Sequence, residues 1–342
     1  MAAGKLRVAI VGFGFMGRTH YGAWKKTPCA KVTAICDSNL NQLSRKVAGN
    51  GNDADLATDF KGVAVVESFD ELLARGGFDV VDLTLPTPLH PALVKKALAA
   101  GCHVLCEKPM ALDVKSCDAM IAAAAKSRGK LMIAQCLRFA PAVKYLHDVV
   151  ASEKYGKVVG ASFDRASMLP GWGAGGKSWF LDEEASGGVL LDLHIHDVDF
   201  INWTFGRPNS VAVRRHVRSD GVTDRATTLY GYRNCVVSSS ASWAASPSFS
   251  FEARSFVELE KATIVMDAKR AAPLQVYPFR GRPFTPKLDY SISPYEAEIK
   301  AFAAWTLGRR ASVPITLEDA RDAVALVEAE RRSMRAGREI ML

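Results

Sequence analysis

The sequence predicts an α/β chain in two parts: a doubly wound parallel sheet over residues 1–135, then an α+β domain over residues 136–342 built on a large, mostly antiparallel sheet. Three observations predict it. Short β-branched runs alternate with helical segments as far as Gln135, the pattern of parallel strands joined by crossover helices. Beyond that point, runs with period-two alternation follow one another, as in an antiparallel sheet with one covered face. The length of 342 residues with 49% hydrophobic content suits about two ordinary globular domains.

In chain order, residues 6–11 form an apolar first strand and Gly12-Phe13-Gly14-Phe15-Met16-Gly17 turns into a helix reaching Trp24. A second strand is expected over 32–36, closed by Asp37, with a helix over 40–48, a strand over 63–66 and a helix over 69–75. Residues 80–85 and 103–106 are strands around a helix over 91–100, for which Gly101 is the stop. A helix over 115–128 and a strand over 131–135 complete the series. After a helix over 142–153, strands are expected over 158–163, 211–217, 227–232, 236–243, 256–259 and 263–266, with closing amphipathic helices over 295–307 and 317–334. The uncovered face of such a sheet is available to a second subunit.

The glycine motif has a physical reading. The first glycine permits the tight turn, the second lets backbone approach a pyrophosphate, and the third lets helix pack on strand, with the helix N-terminus facing the anion. GxGxxG alone is weak, but Asp37 lies 20 residues past Gly17 at the end of the next strand, where a carboxylate accepts the ribose hydroxyls of a dinucleotide. A carboxylate there repels a 2'-phosphate, so NAD is preferred over NADP; a helix N-cap is the competing role for Asp37. The first part is thus expected to be a Rossmann-type dinucleotide domain. In such sheets ligands sit at the carboxyl ends of the strands. Gly12 to Gly17, Asp37, Thr84, Pro86, His90, Glu107 and Lys108 all fall at that edge as cofactor contacts. Lys108 precedes Pro109, which pushes it out of the helical region and into a fixed loop after a strand.

Composition removes several classes. Seven cysteines, scattered through apolar segments, lack the regular spacing of a disulfide framework and read as reduced residues of a cytoplasmic protein. Lys5 and Arg7 imitate the start of a signal peptide, but glycines interrupt the apolar run and no cleavage site follows. No run approaches a membrane span. The net charge of +8 is dispersed, which disfavours nucleic acid and suits a phosphate-bearing or acidic ligand.

The second constellation lies in residues 187–203, whose length and stop signals, Gly206 and Pro208, predict one helix. On it Asp192, His196 and Asp199 share a polar stripe. An Asp one turn before a His orients the ring and supports its protonated form, as a general base for an alcohol requires. A merely structural pair is the rival reading. A metal site from Asp192, His194 and His196 needs strand geometry, because His194 points away on a helix, so no metal is expected.

These residues resemble the Gfo/Idh/MocA oxidoreductases, which act on sugars, inositols and related polyols. The likeness runs through GFGFMG at 12–17, TLPTPLH at 84–90, AGCHVLCEKP at 100–109, LRFAP at 137–141 and SGGVLLDLHIHDVDFINW at 186–203. It implies a dinucleotide domain followed by an open-faced sheet domain, assembled as a homodimer or homotetramer, with a small-molecule sugar or polyol as substrate. Lys108 would sit beside nicotinamide and substrate, and Asp192 and His196 would match the family's acid and histidine pair. His194 stands where relatives often carry a small residue, so it would narrow the pocket or add a polar contact. The expected reaction passes hydride from a secondary hydroxyl to nicotinamide C4, with His196 as base, Asp192 supporting it and Lys108 stabilising charge on oxygen. Arg165, Trp172 and Trp179 are candidate pocket walls, with ordinary packing as the rival role. Glycoside cleavage by oxidation and elimination, or noncatalytic sensing of NAD or sugar, are the alternative functions.

Overall fold

Strand β1 (Leu6–Val11) buries every side chain but that of Arg7, as a strand covered on both faces must. A computed structural model describes this strand and the rest of residues 5–44, 60–170, 179–267 and 269–342. After β1 come α1 (Phe15–Lys25), β2 (Ala30–Cys36), β3 (Ala64–Val66), α2 (Phe69–Arg75), β4 (Val80–Leu83), α3 (His90–Ala99), β5 (His103–Glu107), α4 (Val114–Ala125) and β6 (Leu131–Ala134). The six strands pair in parallel in the order β3-β2-β1-β4-β5-β6. That order reverses direction at β1, and the crevice at the reversal is where such sheets take ligands. Ser68 caps α2 and Asp113 caps α4, each accepting a backbone N–H three residues on. Of the helix expected over 40–48, Leu40–Ser44 forms a 3-10 turn and the remainder lies outside the described residues.

The second half runs through α5 (Pro141–Ala151), β7 (Val158–Met168), α6 (Glu183–Ser186), α7 (Ile195–Phe205), β8 (Ser210–Val217), β9 (Thr223–Gly231), β10 (Val236–Ala245), β11 (Glu252–Leu259), β12 (Ala262–Asp267), β13 (Leu274–Pro278), α8 (Pro294–Thr306), α9 (Leu317–Ala336) and β14 (Ile340–Met341). Its eight-stranded sheet has the order β13-β12-β11-β7-β10-β9-β8-β14, antiparallel except between β7 and β10. Alternate residues such as Ala161, Phe163, Val237, Ala241 and Val257 are buried. The opposite face is open and carries a cross-strand row of Phe256, Ser162, Ser238 and Leu229.

The chain divides into two compact units. One comprises Met1–Cys136 with Ile292–Arg321, the other Leu137–Ser291 with Asp322–Leu342. The expected cut into 1–135 and 136–342 puts all of 292–321 with the second part, whereas compactness puts it with the first. The reason is burial on α1: α8 packs Phe302 edge-on against Trp24, with ring centroids 6.3 Å apart, and neither side chain keeps any exposed surface. β13 and β14 were not expected from the pattern; β14 is two residues long and is held by pairing with β8.

The helix expected over 187–203 is not uniform. Gly187 and Gly188 adopt left-handed φ of +80° and +65°, Leu190–His194 forms a π-helical turn, and α7 follows directly. A Cβ at Gly187 would stand 2.4 Å from the Leu191 Cβ and 2.7 Å from Arg331 Nη2, which donates to the Gly187 carbonyl at 2.7 Å. Only glycine fits that turn. Gly187→Ala should therefore destabilise the protein by about 1–3 kcal/mol or more, read as a lowered urea midpoint; an unchanged midpoint would show that the π turn relaxes freely.

Candidate functional site

In the first unit the site begins with the glycine turn. Gly12 has φ +89°, and a Cβ there would meet Leu85 Cδ2 at 2.8 Å and the Thr84 carbonyl at 2.9 Å. A Cβ at Gly17 would stand 2.1 Å from the Gly12 carbonyl oxygen, so α1 reaches this close to the turn only because both residues are glycine. Thr84 closes the other side, donating its hydroxyl to the Gly12 carbonyl at 2.5 Å. Gly14, Phe15 and Met16, at the N-terminus of α1, are half-buried, and no acidic residue lies in the first turn. Open amides on a positive helix end fit a pyrophosphate. Phe13 points inward instead: its fully buried ring stacks edge-on with Tyr21 and Phe60, and the Arg18 guanidinium lies 5.3 Å from its centroid.

Asp37 is buried at the end of β2. Its Oδ2 accepts the Phe13 N–H at 2.6 Å and its Oδ1 the Asn39 N–H at 2.8 Å. The carboxylate is thereby oriented by backbone, and each oxygen keeps a lone pair for a ribose hydroxyl. A 3-10 turn over Leu40–Ser44 follows it, and the rest of the helix for which Asp37 was the rival N-cap lies outside the described residues.

Among residues 104–111, Lys108 alone keeps partial exposure; Val104 to Glu107 and Pro109 to Ala111 are buried. Glu107 is buried, and both of its carboxylate oxygens are engaged within the fold. Its Oε1 faces His20 Nε2 at 3.0 Å, and its Oε2 accepts the Lys108 backbone N–H at 3.0 Å. His90 is likewise enclosed: Nδ1 contacts the Pro109 carbonyl at 3.0 Å and Nε2 the Leu85 carbonyl at 2.9 Å. Both residues were expected as cofactor contacts; the structure makes His90 a clamp between two loops and Glu107 a buried bridge. Burial lowers the His90 pKa, partly offset by the two carbonyls. Pro86 is half-buried beside this clamp, on the loop between β4 and α3.

In the second unit the π turn and α7 are buried from Ser186 to Ile201 with two exceptions, Asp192 and His196. Of the three residues expected to share a polar stripe, Asp192 and His196 keep partial exposure, whereas Asp199 is buried against Arg138. His194 departs from expectation: it is fully buried, with Nε2 3.1 Å from the Tyr230 hydroxyl and 3.3 Å from Glu330 Oε1, while Tyr230 donates to Glu330 Oε1 at 2.6 Å. Burial opposes charge on this imidazole, yet the carboxylate of Glu330 outweighs it and raises the His194 pKa. With no surface left, His194 tethers the π turn to α9 and β9 and is not a pocket wall.

Arg165 is corrected in the same way. Its Nε and Nη2 donate to both oxygens of Asp197 at 2.9 and 2.7 Å, deep under the sheet, so it neutralises a buried carboxylate. Arg138 does the same for Asp199 at 2.9 and 2.7 Å. Trp179 is half-buried, its ring tilted by 34° against that of Phe180 with centroids 4.4 Å apart; Trp172 lies outside the described residues. Among the described residues no three metal-ligating side chains converge, and no helix is long and apolar enough to cross a membrane. All seven cysteines are free thiols.

Sequence reasoning missed His20, Asp82 and Glu298, all fully buried in the first unit. A signal was present: an aspartate inside the apolar run Val80-Val81-Asp82-Leu83, where a buried carboxylate demands a partner.

Comparison with known proteins gives the family. Residues 6–135 match the model described as an oxidoreductase family with an NAD-binding Rossmann fold, and residues 143–265 match the GFO/IDH/MocA C-terminal domain. The chain belongs to the Gfo/Idh/MocA oxidoreductase family. It is 30% identical over 220 residues to D-glucoside 3-dehydrogenase of Escherichia coli K12, covering 63% of this chain and 58% of that one. It is 27% identical over 242 residues to D-apiose dehydrogenase of Paraburkholderia graminis, covering 68% and 59%. The chain thus spans less than two thirds of the length of these curated relatives. The WlbA dehydrogenase of Bordetella pertussis, solved with NADH and UDP-GlcNAcA, shares the fold with a TM-score of 0.84 at 22% identity over 100% of this chain and 99% of that one.

The ion-pair assignment is testable. Arg165→Met leaves Asp197 buried and uncompensated and should cost about 3–5 kcal/mol in urea denaturation, while Arg165→Met with Asp197→Leu should recover most of that loss. A double variant no more stable than the single one would return Arg165 to the list of pocket residues.

Proposed function

We propose that the chain is an NAD-dependent dehydrogenase acting on a secondary hydroxyl of a sugar, inositol or related cyclic polyol, in either direction. The observation that carries the reading is the pattern of exposure. In two otherwise buried stretches, the side chains left open are Lys108 in one and Asp192 and His196 in the other. Burying the neighbours while leaving a cation, an acid and an imidazole open is arranged for chemistry rather than for packing. The sugar dehydrogenases among the relatives support the substrate class.

NAD, when bound, supplies the hydride acceptor at nicotinamide C4. The chain's own residues do the rest. The turn from Gly12 to Gly17 holds the pyrophosphate, and Asp37, fixed by the Phe13 and Asn39 amides, takes the ribose hydroxyls and repels a 2'-phosphate; NAD is therefore preferred over NADP. His196 removes the hydroxyl proton, and Asp192 supports the ring as it gains charge. Lys108 donates a hydrogen bond to the substrate oxygen. A positioned base and a positioned donor each contribute on the order of a hundredfold or more. Trp179 offers an aromatic face to a sugar ring. The open face of the eight-stranded sheet is the subunit contact of a homodimer or homotetramer, and the free thiols suit a reducing, cytoplasmic setting.

The test is a panel of inositols, aldoses, anhydrosugars and aryl glycosides incubated with NAD, following NADH absorbance and glycoside cleavage together. Stoichiometric NADH is expected; cleavage without NADH, or binding with neither, would overturn the reading. Lys108→Ala should lower turnover by on the order of a hundredfold or more with little change in NAD affinity, and nearly unchanged turnover would remove its assigned role.

A further inference from the structure

The fully buried His20 takes no part in the chemistry above. Each of its ring nitrogens faces a carboxylate: Nδ1 lies 2.9 Å from Asp82 Oδ2, and Nε2 lies 3.0 Å from Glu107 Oε1. Asp82 also accepts the Trp24 indole N–H at 2.7 Å, and the far oxygen of Glu107 accepts the peptide N–H of Lys108 at 3.0 Å. These contacts form one unbroken chain from α1, through β4 and back through α1, to the peptide of Lys108 at the end of β5. An ionised carboxylate can only accept, so with both carboxylates ionised the two ring nitrogens must both carry protons.

We propose that His20 is a positioning residue: a buried imidazolium that fixes Glu107 and, through it, the peptide that aims Lys108. The functional half of this statement rests on the reading of Lys108 as donor to the substrate oxygen; the tether itself does not.

The groups around His20 give the same charge count from every side. Asp82 faces it from β4 and Glu107 from β5. From α8 come Glu298, fully buried with neither oxygen hydrogen-bonded, and Tyr295, whose ring centroid is 6.3 Å from that of His20. Burial and the neighbouring Glu107 push the Glu298 carboxyl well above the usual range, which favours its protonated form. The Tyr295 phenol, raised by Cys136 and by burial, and the Cys136 thiol, raised mainly by burial, are neutral as well. Burial would lower the His20 pKa, but the two carboxylates outweigh it and hold it well above the ordinary value. A raised folded-state pKa stabilises fully below the unfolded histidine value, about 6.5, and that stability is lost as pH rises through the folded value. Protonated Glu298 acts in the same direction, from the unfolded glutamate value upward.

Without the imidazolium, Glu107 holds an uncompensated buried charge and must take a proton or turn away, and the Lys108 peptide loses its acceptor. A misplacement of about 1 Å at a reacting group is enough to cost about a hundredfold in rate. Packing alone would not produce that effect, nor would it fix the protonation of the ring.

The experiment uses the full-length protein with ¹⁵N-labelled histidine and lysine. In the wild type at neutral pH, both ring nitrogens of His20 should give protonated signals, assigned by their loss in His20→Gln, and the Lys108 amide should be protected from exchange. A ring with one bare nitrogen would overturn the proposal. In His20→Gln the Lys108 amide should exchange faster, and kcat should fall by about ten- to a hundredfold while the NADH dissociation constant holds. Unchanged Lys108 exchange would overturn the tether.

Should His20→Gln fail to fold, Glu107→Gln keeps an acceptor for the Lys108 amide and offers an N–H to the ring. It should return His20 to one ring proton, reduce the loss of melting temperature toward alkaline pH, and retain Lys108 protection. A ring still doubly protonated in that variant would overturn the assignment. If no sugar on the panel is oxidised by the wild type, the dehydrogenase reading falls, and the histidine and amide signals still decide the tether.

Discussion

A carboxylate buried in the middle of a parallel strand cannot be left alone, and Asp82 is such a group. Its strand neighbours Val81 and Leu83 are fully buried, as it is itself, and its register partners are Ile10 on one side and Leu105 on the other. Leaving that charge uncompensated would cost several kcal/mol. The donors come from α1, as the Trp24 indole and the His20 ring. The seating of α1 on the sheet is therefore set twice, by the close approach at Gly17 and by these two bonds a turn or two further on. Because His20 has a second nitrogen, the requirement passes to Glu107, and from Glu107 to the peptide of Lys108. A structural debt in the core of the sheet ends at its ligand edge.

The second unit meets the same constraint differently. Residues 186–201 bring Asp197 and Asp199 under the eight-stranded sheet, and each is met by both arms of an arginine, Arg165 from β7 and Arg138 from the turn before α5. His194 is met by Glu330 and Tyr230. Asp192 and His196 are the residues of this stretch that keep partial exposure. The π-helical turn over Leu190–His194 belongs to this arrangement: it widens the helix where buried tethers and partly exposed polar groups alternate most closely.

Polar residues that look alike in the sequence thus separate into two populations. His194 and His196 are two positions apart, as are Asp197 and Asp199 from their nearest acidic neighbours, and nothing in their identity distinguishes tether from tool. Glu107 and Lys108 are adjacent, yet one is a buried bridge and the other is open. The expectation that Glu107 and His90 touch a cofactor followed from their place at the sheet edge. The structure shows that the edge has depth, with a buried inner layer that holds the loops and an outer layer that keeps exposed surface.

The amino-acid sequence by itself determined the parallel sheet, the glycine turn and the change of character after Gln135. Each of these rests on local rules: side-chain periodicity, the backbone freedom of glycine, and the spacing of a motif along one strand and the next. Tertiary structure alone decided which polar groups are spent on one another. His20 meets Asp82 across 62 residues, Glu107 meets His20 across 87, and His194 meets Glu330 across 136, so no window of sequence contains both partners. It also decided that α8 belongs with the first unit, because the surface it buries is on Trp24, near the other end of the chain. Pairing of buried charge is a property of distance in space, and only folding fixes that distance.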